Sequence, residues 1–95
     1  MNIHTDFNPA IPIHPGEILQ EELAARNWTQ KHLAERMGRP IQLVNNIING
    51  RAGISATTAL DLASIFGTSA QFWMNLDSNY RLAVARHKRT KARAG

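Results

Sequence analysis

Three side-chain amides stand close together in the middle of the chain, at Gln42, Asn45 and Asn46. An amide carries a donor and an acceptor, and the two together can bond bidentately to the edge of an adenine base. Asn is a poor helix former, so two in succession in an apolar stretch indicate a use beyond solubility. We interpret Gln42 and Asn46 as candidate base-reading residues and Asn45 as a further candidate. The alternative is an ordinary solvated helix face.

The residues around these amides have the types that two helices joined by a tight turn require. Ala34 is small enough for a close helix crossing, and Gly38 can adopt the positive φ that ends a helix. Pro40 suits the first position of the next helix, where a missing N–H costs nothing. Apolar residues at inward-facing offsets are Leu33, Met37, Val44 and Ile47. Residues 30–49 therefore predict a helix-turn-helix that binds DNA.

Charge is segregated along the 95 residues, whose formal net charge is +4. Five of the eleven basic residues lie in the last ten positions, and three glutamates crowd residues 17–22. The window 36–60 contains three arginines and no acidic residue. A surface that approaches phosphates needs this local positive sign, whatever the total charge.

Several classes of function are excluded or disfavoured by composition. Without cysteine there are no disulfides, thiolate zinc sites or cysteine nucleophiles. The N-terminus has neither a basic start nor a long apolar run, and no stretch approaches the roughly 20 apolar residues of a membrane span. We expect a cytoplasmic protein with no membrane association. The four histidines lack the i, i+4 spacing of a helical metal site and there is no glycine-rich phosphate loop, so we expect no metal, no cofactor and no enzymatic activity.

Apolar periodicity predicts an all-α fold with five helices. The first begins near residue 15 and runs to about residue 26, and the third covers about 40–49. Cap residues place the second helix between Thr29 and Gly38 and the fourth between Ser55 and Gly67. A capping box of Thr68 with Gln71 is expected to start the fifth.

Three regions are expected along the chain. Residues 1–13 form a mobile lead-in, residues 14–86 the DNA-binding and dimerisation domain, and residues 87–95 a basic, disordered tail. The tail either reinforces DNA binding through its charge or serves only as a solubilising end.

The fifth helix carries apolar residues beyond the point where four short helices can cover them. Tyr80 and Val84 continue the face of Trp73, whereas Leu82 lies on another side. A second subunit is the natural cover, so Tyr80, Leu82 and Val84 are predicted at a homodimer interface; the alternative is a frayed, hydrated helix end. Dimerisation would place two reading helices about 34 Å apart, as a palindromic site demands.

Two runs of sequence resemble a known family. TQKHLAERMG followed by VNNIINGR is similar to the Cro/C1-type (XRE-type) helix-turn-helix domain of phage repressors and bacterial regulators. IHPGEIL, NGRAGISATTALDLASIFGTSAQFWMNL and the following Tyr80 resemble HigA-type (VapI-like) antitoxins of toxin–antitoxin operons. The resemblance implies a lambda-repressor-like, homodimeric repressor of its own operator, with a small basic toxin partner of the RelE-like (HigB-type) fold that cleaves mRNA.

The resemblance also implies roles for individual residues. Gln30, Asn49 and Arg51 match phosphate contacts of the family. Arg39 stands where an apolar residue is usual and is interpreted as an extra phosphate contact. Ile41 replaces a base-reading glutamine and is expected to contact a thymine methyl group. Asp61 stands where a basic residue is expected.

An acidic stripe on the first helix is the candidate docking surface for a basic toxin, together with the lead-in folding on binding. The stripe consists of Glu17, Glu21 and Glu22, and its alternative is a solvated face. Two other functions stay open: a stand-alone repressor of the same family without a toxin, and an interaction module that has lost DNA binding.

Overall fold

The computed structural model describes the backbone of residues 13–94 and the side chains of residues 13–91. Every regular element in this part of the chain is an α-helix: α1 (Pro15–Arg26), α2 (Gln30–Met37), α3 (Ile41–Ile48), α4 (Ala56–Phe66) and α5 (Ala70–Ala94). The predicted all-α fold with five helices is confirmed. The predicted lead-in lies outside the described residues except for Ile13, which packs against the core.

Short polar side chains and glycines set the ends of α2 and α4 as predicted. The Thr29 hydroxyl accepts the N–H of His32 at 3.0 Å, and the Ser55 hydroxyl accepts the N–H of Thr58 at 3.2 Å. Gly38 and Gly67 close the same helices with φ of +67° and +71°. Glycine adopts this left-handed conformation most readily because it has no Cβ, so both residues favour the end of a helix.

The start of α1 contains a cap that the sequence did not reveal. His14 is buried, and its Nδ1 accepts the N–H of Gly16 at 2.9 Å. The Glu17 carboxylate accepts the N–H of His14 in return, at 3.4 Å, which completes a capping box. The ring of Tyr80 on α5 meets the imidazole edge-on, with centroids 4.7 Å apart. The N-terminus of α1 is thereby attached to the middle of α5.

Two predicted helix starts need correction. Pro40 precedes α3 as its N-cap, with ψ of 144°, rather than occupying the first helical position. The predicted capping box of Thr68 and Gln71 is wrong, because Ser69 accepts the N–H of Phe72 at 3.0 Å. The Thr68 hydroxyl instead accepts the indole N–H of Trp73 at 2.8 Å. A fully buried indole requires such an acceptor, and Thr68 supplies it.

α5 continues as a helix to Ala94, through the segment expected to be a disordered tail. Ala, Arg and Lys, which make up most of residues 85–94, are strong helix formers. Its first half packs on α4 and α1, and its second half extends past them.

One core unites all five helices. Trp73 of α5 and Leu62 of α4 are fully buried with Leu19, Leu33 and Val44, one residue from each remaining helix. Buried residues around them complete the core: Ile18, Leu23, Ala34, Ile47, Ile54, Ala59 and Phe66. The inward positions predicted for Leu33, Val44 and Ile47 are confirmed, and Met37 packs partly buried against the core. The core therefore leaves the opposite face of α3 as the one available to a ligand.

A close backbone approach joins α1 to α3 at Gly16. A Cβ at this position would collide with the carbonyl oxygen of Ile47 and lie 2.9 Å from the Cα of Ile48. Both clashes are with backbone atoms, which cannot rotate out of the way as a side chain can. Gly16 therefore sets the distance between α1 and the C-terminal turn of α3.

Candidate nucleic-acid interface

The exposed face of α3 carries amides in two rows. In the first row, Gln42 donates from Nε2 to the Oδ1 of Asn46 at 3.0 Å, one helical turn further on. Gln42 is exposed and Asn46 half-buried, while Val44 and Ile47 on the opposite face are fully buried. The structure thus brings together the two residues predicted to read bases, on the outward side of the helix.

The second row connects α3 to the start of α2. Asn45 donates from Nδ2 to the Oε1 of Gln30 at 3.3 Å, and Asn49 donates from Nδ2 to the Oδ1 of Asn45 at 3.1 Å. Gln30 and Asn49 are the predicted phosphate contacts at the two ends of the row. Asn45 lies between them and fixes their separation. Sequence reasoning placed Asn45 with the base-reading residues and did not reveal this bridging position.

Two further predicted contacts lie near the N-terminus of α3. Ile41 is the first residue of the helix, and its side chain is 49% exposed although it is apolar. Arg39, in the turn before it, pairs from Nη1 with the Oδ2 of Asp61 on α4 at 3.3 Å. Both side chains of the pair are about one-third exposed. An apolar residue was expected at position 39 and a basic one at position 61. The two residues that differ from the family pattern therefore form an ion pair with each other.

The loop after α3 holds Arg51 at the C-terminal edge of the amide rows. The backbone N–H groups of Arg51 and Ala52 both donate to the carbonyl of Asn46, at 2.8 and 3.1 Å. The Arg51 side chain is exposed. The backbone of this loop is thus attached directly to the helix that carries the base-reading candidates.

Asp77 of α5 holds the other end of this loop. Its carboxylate is 3% exposed, accepts the N–H of Ile54 at 3.1 Å and pairs with Arg81 at 2.8 Å. A Cβ on Gly53 would lie 3.3 Å from its Cγ and collide with its Oδ1. Sequence reasoning missed Asp77 entirely, since an isolated Asp in a helix is typical of a solvated face. The only available signal was its neighbour at i+4, Arg81.

The acidic stripe on α1 is more engaged within the chain than the sequence suggested. Glu17 completes the capping box with His14, and Glu22 pairs with Arg26 one turn further on. Glu17 and Glu21 nevertheless line a shallow depression together with Gln20 and Ala24. An acidic surface therefore remains on α1.

The three residues predicted at a dimer interface have different environments. Tyr80 is half-buried, because its ring packs against His14 of the same chain. Val84 is half-buried, and Leu82 is 51% exposed. Leu82 is the largest uncovered apolar side chain in the second half of α5.

No cluster of three or more potential metal ligands occurs among residues 13–94. In the same part of the chain, no helix is long and apolar enough to cross a membrane. The chemistry offered by the interface is therefore hydrogen bonding by amides and charge from arginines, with one exposed apolar side chain between them.

Comparison with known proteins identifies the family. A helix-turn-helix family model matches residues 19–73. Virulence-associated protein I of Dichelobacter nodosus is 38% identical over 86 residues, which are 90% of this chain and 80% of that protein. The solved structure of the Pseudomonas aeruginosa antitoxin HigA with the higBA promoter is 44% identical, with a TM-score of 0.82, and the match covers 86% of this chain and 90% of that one. The chain belongs to the Cro/C1-type helix-turn-helix family and, within it, to the HigA-type antitoxins.

A second solved neighbour is the antitoxin GraA in complex with its operator, 37% identical with a TM-score of 0.79, covering 94% of this chain and 91% of that one. The resemblance stated from the sequence motifs is thereby confirmed. HigA-type antitoxins are DNA-binding proteins and not enzymes, so the expectation of a non-enzymatic chain is also confirmed.

Proposed function

We propose that this chain is a DNA-binding antitoxin that represses its own operon. The observation that carries the proposal is the double row of amides on the outward face of α3, linked by Asn45 to Gln30 of α2. Two similar proteins, HigA and GraA, have been solved with promoter or operator DNA. Amides held on the free face of a helix at this spacing suit the base edges of a major groove.

In this proposal α3 enters the major groove and its residues divide into two tasks. Gln42 and Asn46 bond to base edges, and Ile41 contacts a thymine methyl group. Phosphate contacts fix the position of the protein on the duplex but carry no sequence information. Those contacts are assigned to Gln30, Arg39, Asn49 and Arg51, while Asn45 holds the first and third of these at a fixed spacing.

The operator is proposed to be palindromic and the protein a homodimer. Two copies related by a two-fold axis would present their α3 helices to successive major grooves, about 34 Å apart. The proposed interface includes Leu82, Val84 and the exposed edge of Tyr80. An exposed Leu on an extended helix supports this assignment, because burial of such a side chain against a partner is favourable by roughly 1.5–3 kcal/mol.

The protein partner is proposed to be a small, basic toxin of the RelE-like (HigB-type) fold, an mRNA-cleaving enzyme of the cytoplasm. The acidic stripe of α1 supports a positively charged partner, since complementary charge steers association. Glu21 and Glu17 flank the shallow depression on α1 where a basic side chain of the toxin would lie.

Growth of cells in which the open reading frame adjoining this one is induced, with and without this chain, tests the antitoxin role. Arrest relieved by co-expression supports it. Glu21→Gln should weaken the relief, whereas Glu35→Gln, an exposed acid on α2, should leave it unchanged. A harmless neighbour, or an arrest that persists, would leave the stand-alone repressor as the function.

Retardation of DNA fragments from the upstream region tests the repressor role separately. Strong binding to one palindrome and weak binding to other DNA at low salt is expected. Equal binding to all fragments, or none, would contradict sequence-specific repression and favour a pure protein-interaction module.

A further inference from the structure

Two attachments enclose the loop that carries Arg51. At its start, the backbone N–H groups of Arg51 and Ala52 both donate to one carbonyl in the C-terminal half of α3, at 2.8 and 3.1 Å. Two residues after Ala52, the N–H of Ile54 donates to the carboxylate of Asp77 on α5, at 3.1 Å. Ile54 is itself buried in the core. Only Gly53 lies between the two attachments, so the backbone next to Arg51 has little freedom to move.

The contact between this loop and α5 leaves no room for a side chain at its centre. A Cβ on Gly53 would lie 3.3 Å from the Cγ of Asp77 and collide with its Oδ1. Asp77 is almost completely buried and follows the fully buried Trp73 by four residues, so it lies on the inward face of α5. The loop and the helix therefore meet at the carboxylate itself.

A carboxylate at this buried position supplies something that an apolar side chain could not. Burial of a charge opposes folding unless hydrogen bonds and an ion pair offset it, whereas an apolar residue would cover the loop without that penalty. What Asp77 adds is direction, because its Oδ1 accepts the N–H of Ile54 while its Oδ2 pairs with Arg81 at 2.8 Å. Hydrogen bonds to a charged acceptor are stronger than neutral ones. The acid thus determines where the backbone of residue 54 lies.

Arg51 is the residue of this loop that the proposed function places on a phosphate. Its side chain is exposed, and ordering a loop and a long side chain on binding lowers affinity. A loop that is already attached at both ends loses less freedom when the guanidinium meets the DNA. The strength of the phosphate contact therefore depends on a residue of another helix.

We propose that Asp77 is a positioning residue for DNA binding, which holds the loop after α3 so that Arg51 meets a phosphate of the operator. The inference rests on the proposed DNA-binding function, and within it on the phosphate contact of Arg51. Asp77 touches no DNA in this proposal, and its effect passes through the backbone of Ile54 and Gly53. Because phosphate contacts carry no sequence information, Asp77 affects affinity for every DNA sequence alike.

A double-mutant cycle between Asp77 and Arg51 separates positioning from a merely structural role. Wild type, Asp77→Ala, Arg51→Gln and the double variant are each titrated with the operator and with a scrambled duplex, at roughly 50–200 mM salt. Asp77→Asn is the conservative variant, since its amide oxygen can still accept the N–H of Ile54. Phe66→Leu, in the core on α4, is the control for packing lost away from the loop. All binding is measured at a temperature at which circular dichroism shows each variant to be folded.

Asp77→Ala should lower the slope of log Kobs against log salt by up to about 0.9, the value for one phosphate contact, as Arg51→Gln does. Across a fourfold change in salt this is roughly a 3.5-fold smaller drop in affinity. In the Arg51→Gln background, Asp77→Ala should change neither the slope nor the affinity further. Asp77→Asn should keep the wild-type slope, and so should Phe66→Leu.

Other outcomes separate the inference from the proposed function. If Asp77→Ala loses the same affinity in both backgrounds and keeps the wild-type slope, the inference is overturned and the repressor role stands. A wild-type slope in Arg51→Gln overturns it too, because Asp77 would then position no phosphate contact. An Asp77→Ala protein that sediments as a monomer where the wild type is a dimer would assign the effect to assembly and also overturn it. Equal binding of the wild type to operator and scrambled DNA contradicts the proposed function, whereas the inference fails only if the cycle shows no coupling.

Discussion

Gln42 donates from its side-chain amide to the Oδ1 of Asn46 at 3.0 Å, within α3 itself. The pair holds both amides in one orientation, so less side-chain freedom is lost when a base replaces one of the partners. The same bond leaves the second N–H of Gln42 and the carbonyl of its amide available to a base. The two residues proposed to read bases are therefore oriented by a hydrogen bond between their own side chains.

Gln42→Ala should weaken binding to the operator by roughly 1–3 kcal/mol and blur the preference at one base position. A matched control exists on α5, where Gln71 donates to Asn75 at 2.8 Å with the same i, i+4 geometry. Gln71→Ala removes an equivalent bond away from α3 and should leave affinity unchanged. Titration of both variants against the operator and its single-base variants measures the effect, and an unaltered affinity for Gln42→Ala would remove this residue from the interface.

Arg51→Gln should weaken binding to every DNA sequence alike and lower the salt slope by about 0.9, because a phosphate contact carries no sequence information. Arg26→Gln serves as the control: that guanidinium pairs with Glu22 and lies over the ring of Phe66, 4.6 Å from its centroid. Affinity measured over a salt series gives both slopes. If Arg51→Gln kept the wild-type slope, the phosphate role would be refuted.

The ion pair between Arg39 and Asp61 could not be predicted from the two residues alone. Each residue departs from the family pattern, and the sequence indicated both departures separately. Their pairing depends on α2 and α4 packing together, across 22 positions of sequence. No local pattern encodes a contact of that range, so only the folded chain reveals it.

At the scale of elements, the ends of α2 and α4 were predictable because their signals are local. A hydroxyl before the helix and a glycine after it act within about three residues. The start of α5 could not be predicted in the same way, because Thr68 and Ser69 are both suitable N-cap residues. The choice depends on the indole of Trp73, which takes the Thr68 hydroxyl once the core has formed.

Asp77 is the contact through which α5 holds the loop after α3. Asp77→Ala should lower the free energy of unfolding by roughly 1.5–3 kcal/mol, since a buried N–H loses its charged acceptor. Arg81→Ala removes only the outer partner, whose side chain is 67% exposed, and should cost less than about 1 kcal/mol. Urea unfolding of both variants measures the difference. Equal costs would mean that the ion pair, and not the bond to Ile54, stabilises the loop.

At the scale of the whole molecule, the inward positions of Leu33, Val44 and Ile47 were predictable from their spacing, whereas the burial of Thr58 in α4 was not. What periodicity could not provide is the path of α5 past the body. Basic residues predict a solvated segment whether it is helical or not, and only the folded chain shows that this segment continues α5 as a helix to Ala94. The capping roles of Glu17 and His14 were likewise invisible, because His is an uncommon N-cap.

Assembly is the remaining property of the whole molecule. Leu82→Asp should shift the protein from dimer to monomer and weaken operator binding, because a charge would be buried at the proposed interface. Leu60→Asp is the control: Leu60 is 63% exposed on α4, outside α5. Sedimentation of both variants at equal concentration is the measurement. A dimer that survives Leu82→Asp, or dissociates with Leu60→Asp, would place the interface elsewhere.

Gly16 meets α3 through backbone atoms alone, at the carbonyl of Ile47 and the Cα of Ile48. That contact does not depend on which side chains occupy the outer face of α3. Residues at positions 41, 42 and 46 can therefore be exchanged while the helix keeps its tilt, so new operators become accessible by substitution at a handful of outer positions. Position 16 itself has no such freedom, and any larger residue there would change the reading angle for every operator at once.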